Sequence, residues 1–79
     1  MTKSMLICGG DGFIGKNAID FFKSKYDITA TLFNKTTPTR GTVEGVEYIS
    51  ADLRNESEVI SLFERERFDI VLQAAATTT

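Results

Sequence analysis

The sequence contains no histidine and no tryptophan, and it has one proline and one cysteine among its 79 residues. A single thiol, Cys8, cannot form an internal disulfide, and without histidine the chain has no Cys/His set for a metal centre. Positive charge is also scarce, because nine basic residues stand against eleven acidic ones and the net charge is −2. No basic stripe is present, so we expect no nucleic-acid partner. The missing Cys/His set leads us to expect no metal either.

Long apolar runs are missing as well. The longest is far too short to cross a bilayer, and the N-terminal "MTKSMLIC" runs directly into glycines rather than into a small-residue cleavage site. We therefore expect a cytoplasmic protein with no membrane partner. A composition of 42% hydrophobic and 25% charged residues is typical of a soluble globular chain, and 79 residues allow one small domain.

Glycine, in contrast, is concentrated at one point of the chain. The segment "MLICGGDGFIGKN" (5–17) contains four glycines within seven residues. The apolar run Met5–Cys8 before them predicts a buried strand, and the apolar residues from Phe13 to Lys25 recur at the three- and four-residue steps of a helix. The glycines therefore join a strand to a helix.

Four strands and two helices are predicted in the order strand, helix, strand, strand, helix, strand. The second helix begins after Asn55, which with Glu58 forms a capping-box-like pair in which each side chain reaches the backbone of the other residue. The segment 34–45 is a loop, because it contains the proline, two glycines and four threonines. The remaining predicted strands are Ile28–Phe33, Val46–Ser50 and Asp69–Ala76.

This alternation predicts an α/β fold. We expect a Rossmann-like three-layer sandwich, in which a parallel four-stranded sheet of order 3-2-1-4 carries one helix on each face. The chain changes direction between the first and fourth strands, so a crevice opens there at their carboxyl ends. The glycine segment lies at this crevice.

Gly9, Gly12 and Gly15 have the spacing of a dinucleotide-binding fingerprint, and they stand between a strand and a helix, as that motif requires. The first glycine permits a tight turn, the second lets a pyrophosphate approach the backbone, and the third lets the helix pack closely on the sheet. Unpaired amides at the helix N-terminus favour an anionic phosphate. The alternative is a glycine-rich turn that only helps the strand pack on the helix.

The segment "ICGGDGFIGKN" resembles the fingerprint of the extended short-chain dehydrogenase/reductase family, the NAD(P)-dependent epimerases and dehydratases, many of which act on nucleotide sugars. "ADLRN" (51–55) is similar to the acidic turn after the third strand of that family, and "DIVLQAAATT" (69–78) to its fourth-strand motif. The family usually has threonine in place of Cys8 and often has histidine in place of Gln73. The resemblance implies that residues 1–79 are the N-terminal part of an NAD(P)-binding Rossmann domain.

The resemblance also implies three groups of cofactor contacts. The pyrophosphate would lie against Gly9, Gly12, Phe13, Ile14 and Gly15, the adenine against Asp52 and Leu53, and the ribose and pyrophosphate side against Ala74, Ala75 and Ala76. Alternatively, Asp52 only caps a turn, and the alanines are small so that strands and helices can pack closely. We expect Phe13 and Ile14 to serve the core as well as to present their backbone.

The end of the second strand bears on the choice of cofactor. An NAD enzyme usually has an acidic residue there, about 20 residues beyond the glycines, which bonds the ribose hydroxyls. Phe33 occupies that position here and is followed by Asn34 and Lys35, and Arg40 lies in the same loop. A 2′-phosphate can be accommodated, so we favour NADP over NAD. The alternative is that Lys35 and Arg40 are solvated loop charges.

No catalytic residue is expected in this chain. By resemblance, the catalytic tyrosine and lysine lie beyond the fourth strand, and four residues after Tyr26 and Tyr48 stand Ala30 and Asp52 rather than lysine. Cys8 has no histidine to activate it. We therefore expect an inactive piece of a parent epimerase, dehydratase or reductase, whose remainder is its partner.

A different class of function remains open, because the chain could be a stand-alone, non-catalytic module that binds a nucleotide or a protein. The uncharged fourth strand favours a piece of a parent enzyme over a free module. A free module would protect that edge of the sheet against pairing with charged residues or proline. We expect the isolated chain to self-associate through this strand or to bind its cofactor weakly.

Overall fold

The computed structural model describes residues 2–33, 37–38 and 41–74 of the chain. Their four strands form one parallel sheet of order β3-β2-β1-β4, which confirms the predicted order and the Rossmann-like α/β fold. The elements, in chain order, are β1 (Lys3–Cys8), α1 (Phe13–Phe22), β2 (Tyr26–Leu32), β3 (Glu47–Ser50), α2 (Glu56–Arg65) and β4 (Ile70–Gln73).

The strand ends differ from the predicted ones where pairing extends beyond the apolar run. Lys3 pairs with Tyr26 and Ser4 with Asp27, so β1 and β2 both begin two residues earlier than expected. β4 ends at Gln73, opposite Cys8, and positions 75 and 76 of its predicted range lie outside the described residues.

The core lies on both faces of the sheet. Side chains alternate along a strand, so the continuous apolar run of β1 sends Met5 and Ile7 to the α1 face and Leu6 and Cys8 to the α2 face. On the α1 face they pack with Ile19 and residues of β2, and on the α2 face with Leu62. One helix on each face confirms the predicted three layers.

Only one half of the expected reciprocal cap between Asn55 and Glu58 is formed at the start of α2. The Asn55 side chain accepts hydrogen bonds from the backbone N–H groups of Ser57, at 3.0 Å, and Glu58, at 3.3 Å. Glu58 does not return to the Asn55 backbone, because its Oε1 accepts from the N–H of Asp52 at 3.1 Å and the Asn55 N–H donates to the Asp52 carbonyl at 2.9 Å. Glu58 therefore links α2 to the turn that follows β3.

The buried face of α2 is narrow. Only Leu62 is buried, whereas Ile60 and Phe63 are exposed. Ile60 is two residues from Leu62, about 200° around the helix axis, so it cannot face the same strands. The Phe63 ring contacts the edge of Phe68, with 6.2 Å between the ring centroids. Neither helix in the described part of the chain has the length and apolar character needed to cross a membrane.

Candidate functional site

The segment Gly9–Gly12, which we call the glycine turn, leaves β1 at the carboxyl edge of the sheet and is tied to the end of β2. The Gly9 N–H donates to Thr31 Oγ1 at 3.0 Å, and the Gly10 N–H donates to the Thr31 carbonyl at 2.8 Å. Thr31 is only 1% exposed, so its hydroxyl is held within the core. The glycine turn therefore has a fixed position relative to β2.

Two glycines of the fingerprint are required by the fold itself. Gly9 has a φ of +86°, in the left-handed region that favours glycine. A Cβ on Gly15 would overlap the Gly9 carbonyl oxygen and would lie 2.9 Å from the Gly9 carbonyl carbon and 3.0 Å from Gly10 Cα. Helix α1 thus packs directly against the glycine turn, as expected for the third glycine.

Gly12 differs from both, because nothing within the described residues requires glycine there. Its φ of −81° and ψ of 169° are accessible to other residues. A Cβ at this position would meet only the Gly9 carbonyl oxygen, at 3.6 Å, which is an ordinary contact. Gly12 is also exposed, so the missing side chain leaves the backbone open to a molecule approaching from outside.

The N-terminus of α1 presents unpaired amides at the same place. Gly12 is the N-cap residue, no side chain among the described residues caps the helix, and the first turn of the helix contains no acidic residue. The first N–H groups of a helix have no partner within it and carry the positive end of its dipole, which favours an anion. This end of α1 therefore suits a phosphate group.

The prediction that Phe13 and Ile14 also serve the core is wrong. Their side chains are 83% and 61% exposed. The reason is that the buried positions of α1 begin only at Gly15 and continue with Ile19. The apolar pattern of a helix does not reveal where its contact with the sheet starts. In this structure the two residues offer their backbone at the helix N-terminus and leave their side chains in solvent.

The turn after β3 is built around Asp52. Its Oδ1 accepts hydrogen bonds from the Arg54 backbone N–H at 3.0 Å and from Arg54 Nε at 3.1 Å. These side-chain and backbone hydrogen bonds from Arg54 lower the pKa of Asp52, and the same pair raises the pKa of Arg54. Asp52 thus caps the turn, which is the alternative role considered for it, and its contact with adenine stays a prediction.

Leu53 and Ala74 both pack in the core at the edge where the cofactor is expected. Leu53 is half-buried against Leu6, Cys8 and Leu62. Ala74 is buried in the cluster on the α1 face, and its N–H donates to the Cys8 carbonyl at 2.9 Å. Both therefore have packing roles. Ala75 and Ala76 lie outside the described residues.

The end of β2 presents an exposed aromatic ring and a cation. Phe33 follows β2 and is exposed, and the Arg54 guanidinium carbon lies 5.1 Å from the centroid of its ring. The predicted residues of this region, Asn34, Lys35 and Arg40, lie outside the described residues. Arg54 was not among the predicted site residues, although its position within the acidic turn "ADLRN" could have indicated it.

A cleft of about 280 Å³ opens between the glycine turn and the segment that precedes β3. Asp11 and Lys16 place opposite charges on its wall, and Tyr48 accepts a hydrogen bond at its hydroxyl from the Val43 N–H at 3.2 Å. Because the cleft borders Gly10, the site at the glycine turn is concave on the side that faces β2 and β3. Its lining also includes Ile19, Asp20, Pro38, Gly41 and Thr42.

The single thiol has the environment of a core residue. Cys8 is buried, and that burial raises the pKa of its thiol, so the reactive thiolate is scarce at neutral pH. Among the residues that the structure describes, no three His, Cys, Asp or Glu side chains lie close enough together to hold a metal ion. The groups at the carboxyl edge thus include the backbone amides of the glycine turn, the carboxylates of Asp11 and Asp52, and the cations of Lys16 and Arg54.

Comparison with protein families gives a match over almost the entire sequence. The model of the NAD-dependent epimerase/dehydratase family matches residues 5–79. The chain belongs to this family. No curated protein sequence is significantly similar to this epimerase/dehydratase family member.

Two solved structures share the fold of this epimerase/dehydratase family member. The Bordetella bronchiseptica enzyme WbmG, crystallised in complex with NAD, superposes with a TM-score of 0.79 at 23% identity, over 100% of this chain and 26% of WbmG. A protein from Bacteroides thetaiotaomicron that carries the provisional name of epimerase gives 0.75 at 20% identity, over 96% of this chain and 34% of its own. The chain therefore spans between a quarter and about a third of these proteins.

Proposed function

We propose that this chain binds a nicotinamide dinucleotide at the glycine turn, as the N-terminal part of a nucleotide-sugar epimerase, dehydratase or reductase. The observation that carries the proposal is Gly12. None of the described residues requires glycine there, whereas a pyrophosphate resting on the amides of α1 needs the space that a Cβ would take.

In this proposal the pyrophosphate lies against Gly9, Gly12 and Gly15 and against the first-turn amides of Phe13 and Ile14. These amides are unpaired within the helix and lie at its positive end, so they bind the phosphate oxygens without any movement of the fold. Asp52 and Leu53 border the adenine, and Ala74, Ala75 and Ala76 border the ribose and pyrophosphate side. When bound, the nicotinamide supplies hydride transfer.

We further propose that the cofactor is NADP rather than NAD. The family description names NAD, and WbmG was crystallised with NAD. The exposed Phe33 at the end of β2 supports NADP here. Phe33 has no carboxylate that could bond the free ribose 2′-hydroxyl of NAD or repel the 2′-phosphate of NADP.

The proposal assigns catalysis to the remainder of a parent enzyme in the cytoplasm, since neither Tyr26 nor Tyr48 is followed four residues later by lysine. Val71 leaves half of its surface exposed on β4, which borders the sheet within the described residues. That open strand supports self-association of the isolated chain. A monodisperse monomer with micromolar cofactor affinity would favour the stand-alone module instead.

The test is calorimetric titration of the chain with NAD⁺ and NADP⁺, in the native sequence and in Gly12→Ala. We expect the native chain to bind at least one dinucleotide and the variant to bind it at least about tenfold more weakly, because the added methyl weakens hydrogen bonds to the charged phosphates.

The melting temperature without ligand is the control. Alanine is a poorer N-cap than glycine but lowers the entropy of the unfolded chain, so the two effects nearly cancel and the shift stays within about 4 °C. A native chain that binds neither dinucleotide refutes the proposal. So does a Gly12→Ala variant that binds as tightly as the native chain.

A further inference from the structure

We infer that Arg54 binds the 2′-phosphate of NADP and thereby selects NADP over NAD. This inference rests on the proposed binding of a dinucleotide at the glycine turn. In sheets of this type the adenosine ribose lies beside the end of β2, where an acidic residue bonds the 2′-hydroxyl of NAD or a nearby arginine accepts the 2′-phosphate of NADP. Phe33 holds the acidic position, and the guanidinium beside it is that of Arg54.

The backbone brings Arg54 to this place. The Ala51 N–H donates to the Leu32 carbonyl at 2.9 Å, which ties the exit of β3 to the end of β2. Asp52 then turns the chain by accepting from the Arg54 N–H at 3.0 Å, and the Asp52 N–H donates to Glu58 at 3.1 Å. These three hydrogen bonds fix the position from which the Arg54 side chain extends.

Two contacts orient the Arg54 guanidinium and still leave N–H donors for a ligand. It lies over the Phe33 ring, an arrangement in which the aromatic face attracts the cation, and its Nε and Nη2 atoms lie 3.1 and 3.5 Å from the Asp52 carboxylate. A guanidinium has five N–H donors, so three are left by these contacts with described residues. Because the side chain is 79% exposed, those donors are open to a phosphate.

The charges around this turn make the cation necessary for a phosphate. Asp52 lies next to Arg54, and Glu58 reaches the same turn from α2. A phosphate that approached without Arg54 would meet the negative charge of Asp52 with no cation from the described residues beside it. Arg54 thus binds the phosphate and also shields it from Asp52.

The experiment compares NAD⁺ and NADP⁺ binding to the native chain, to Arg54→Ala and to a matched control, Lys25→Ala. Lys25 also lies over an aromatic ring, with its Nζ 4.9 Å from the centroid of Phe21, but it precedes β2 and so lies at the opposite edge of the sheet. We expect the native chain and the control to bind NADP⁺ about tenfold more tightly than NAD⁺. Arg54→Ala should lose this preference through weaker NADP⁺ binding alone.

The outcomes separate this inference from the proposal on which it rests. A native chain that binds neither dinucleotide overturns both, whereas normal NAD⁺ binding with NADP⁺ affinity unchanged by Arg54→Ala overturns the role of Arg54 alone. An equal loss of both affinities also overturns it, since that would reflect damage to the turn. Should Arg54→Ala fold poorly, Arg54→Gln keeps the length and polarity of the side chain, and we expect it to lose the same preference.

Discussion

The contact between α1 and the glycine turn gives the sharpest prediction about stability, because one methyl group added at Gly15 tests it. In Gly15→Ala the new Cβ would overlap the Gly9 carbonyl oxygen and would lie within 3.0 Å of two further backbone atoms. None of these is the flexible end of a side chain. Either α1 or the glycine turn must therefore move.

Two opposing effects set the size of the change. Overpacking a tight contact costs about 1–3 kcal/mol, and contact with backbone places this site at the upper end. Alanine inside a helix recovers about 1 kcal/mol relative to glycine. We expect the free energy of unfolding to fall by about 1–2 kcal/mol, which corresponds to a melting temperature lower by about 5–15 °C in a domain of this size.

The assay is thermal and urea unfolding followed by circular dichroism, with Gly12→Ala as the matched control. Both variants add the same methyl to a glycine of the fingerprint, but the Cβ at Gly12 meets no atom of the described residues closer than 3.6 Å. Gly15→Ala should be clearly less stable than Gly12→Ala. If Gly15→Ala melts at or above the native temperature, helix propensity outweighs the contact and the argument from close packing is refuted.

Two further predictions concern residues beneath the site. Thr31→Val removes the hydroxyl that accepts from the Gly9 N–H at 3.0 Å, so the free energy of unfolding in urea should fall by about 1–3 kcal/mol. Thr31→Ser keeps the acceptor and is the control. Equal stability of Thr31→Val and the native chain would contradict this prediction. Cys8 is buried and the pKa of its thiol is raised, so a thiol reagent at neutral pH should react slowly with the folded chain and fully in urea; rapid reaction of the folded chain would contradict this.

Much of the fold could be predicted because the pattern in β1 is unambiguous. Four apolar residues stopped by glycines are too short a run for a helix and indicate a strand buried on both faces, and the remaining elements then follow the rules for parallel sheets. The true starts of β1 and β2 could not be predicted, since Lys3 and Tyr26 are strand residues only by virtue of pairing with each other. The residues at these two strand starts do not alternate between apolar and polar in a way that would indicate a strand.

The site divides along the same line. The spacing of Gly9, Gly12 and Gly15 indicated the turn. Which of these glycines the fold requires depends on distances between α1 and the turn, and these distances cannot be read from the sequence. Arg54 could not be connected to Phe33, because the two are 21 positions apart and meet only when β3 pairs with β2.

The position of β1 in the middle of the sheet has a consequence for biosynthesis. Its two neighbours are β2, which follows soon after, and β4, which begins only at Ile70; immediately before β4, the Ser4 N–H donates to Asp69 Oδ2 at 2.8 Å across 65 positions. A nascent polypeptide can therefore cover only one flank of β1 until the residues of β4 have been translated. The second flank closes only when residues 70–73 have left the ribosome, so the four-stranded sheet is complete only after nearly all of these residues have been translated.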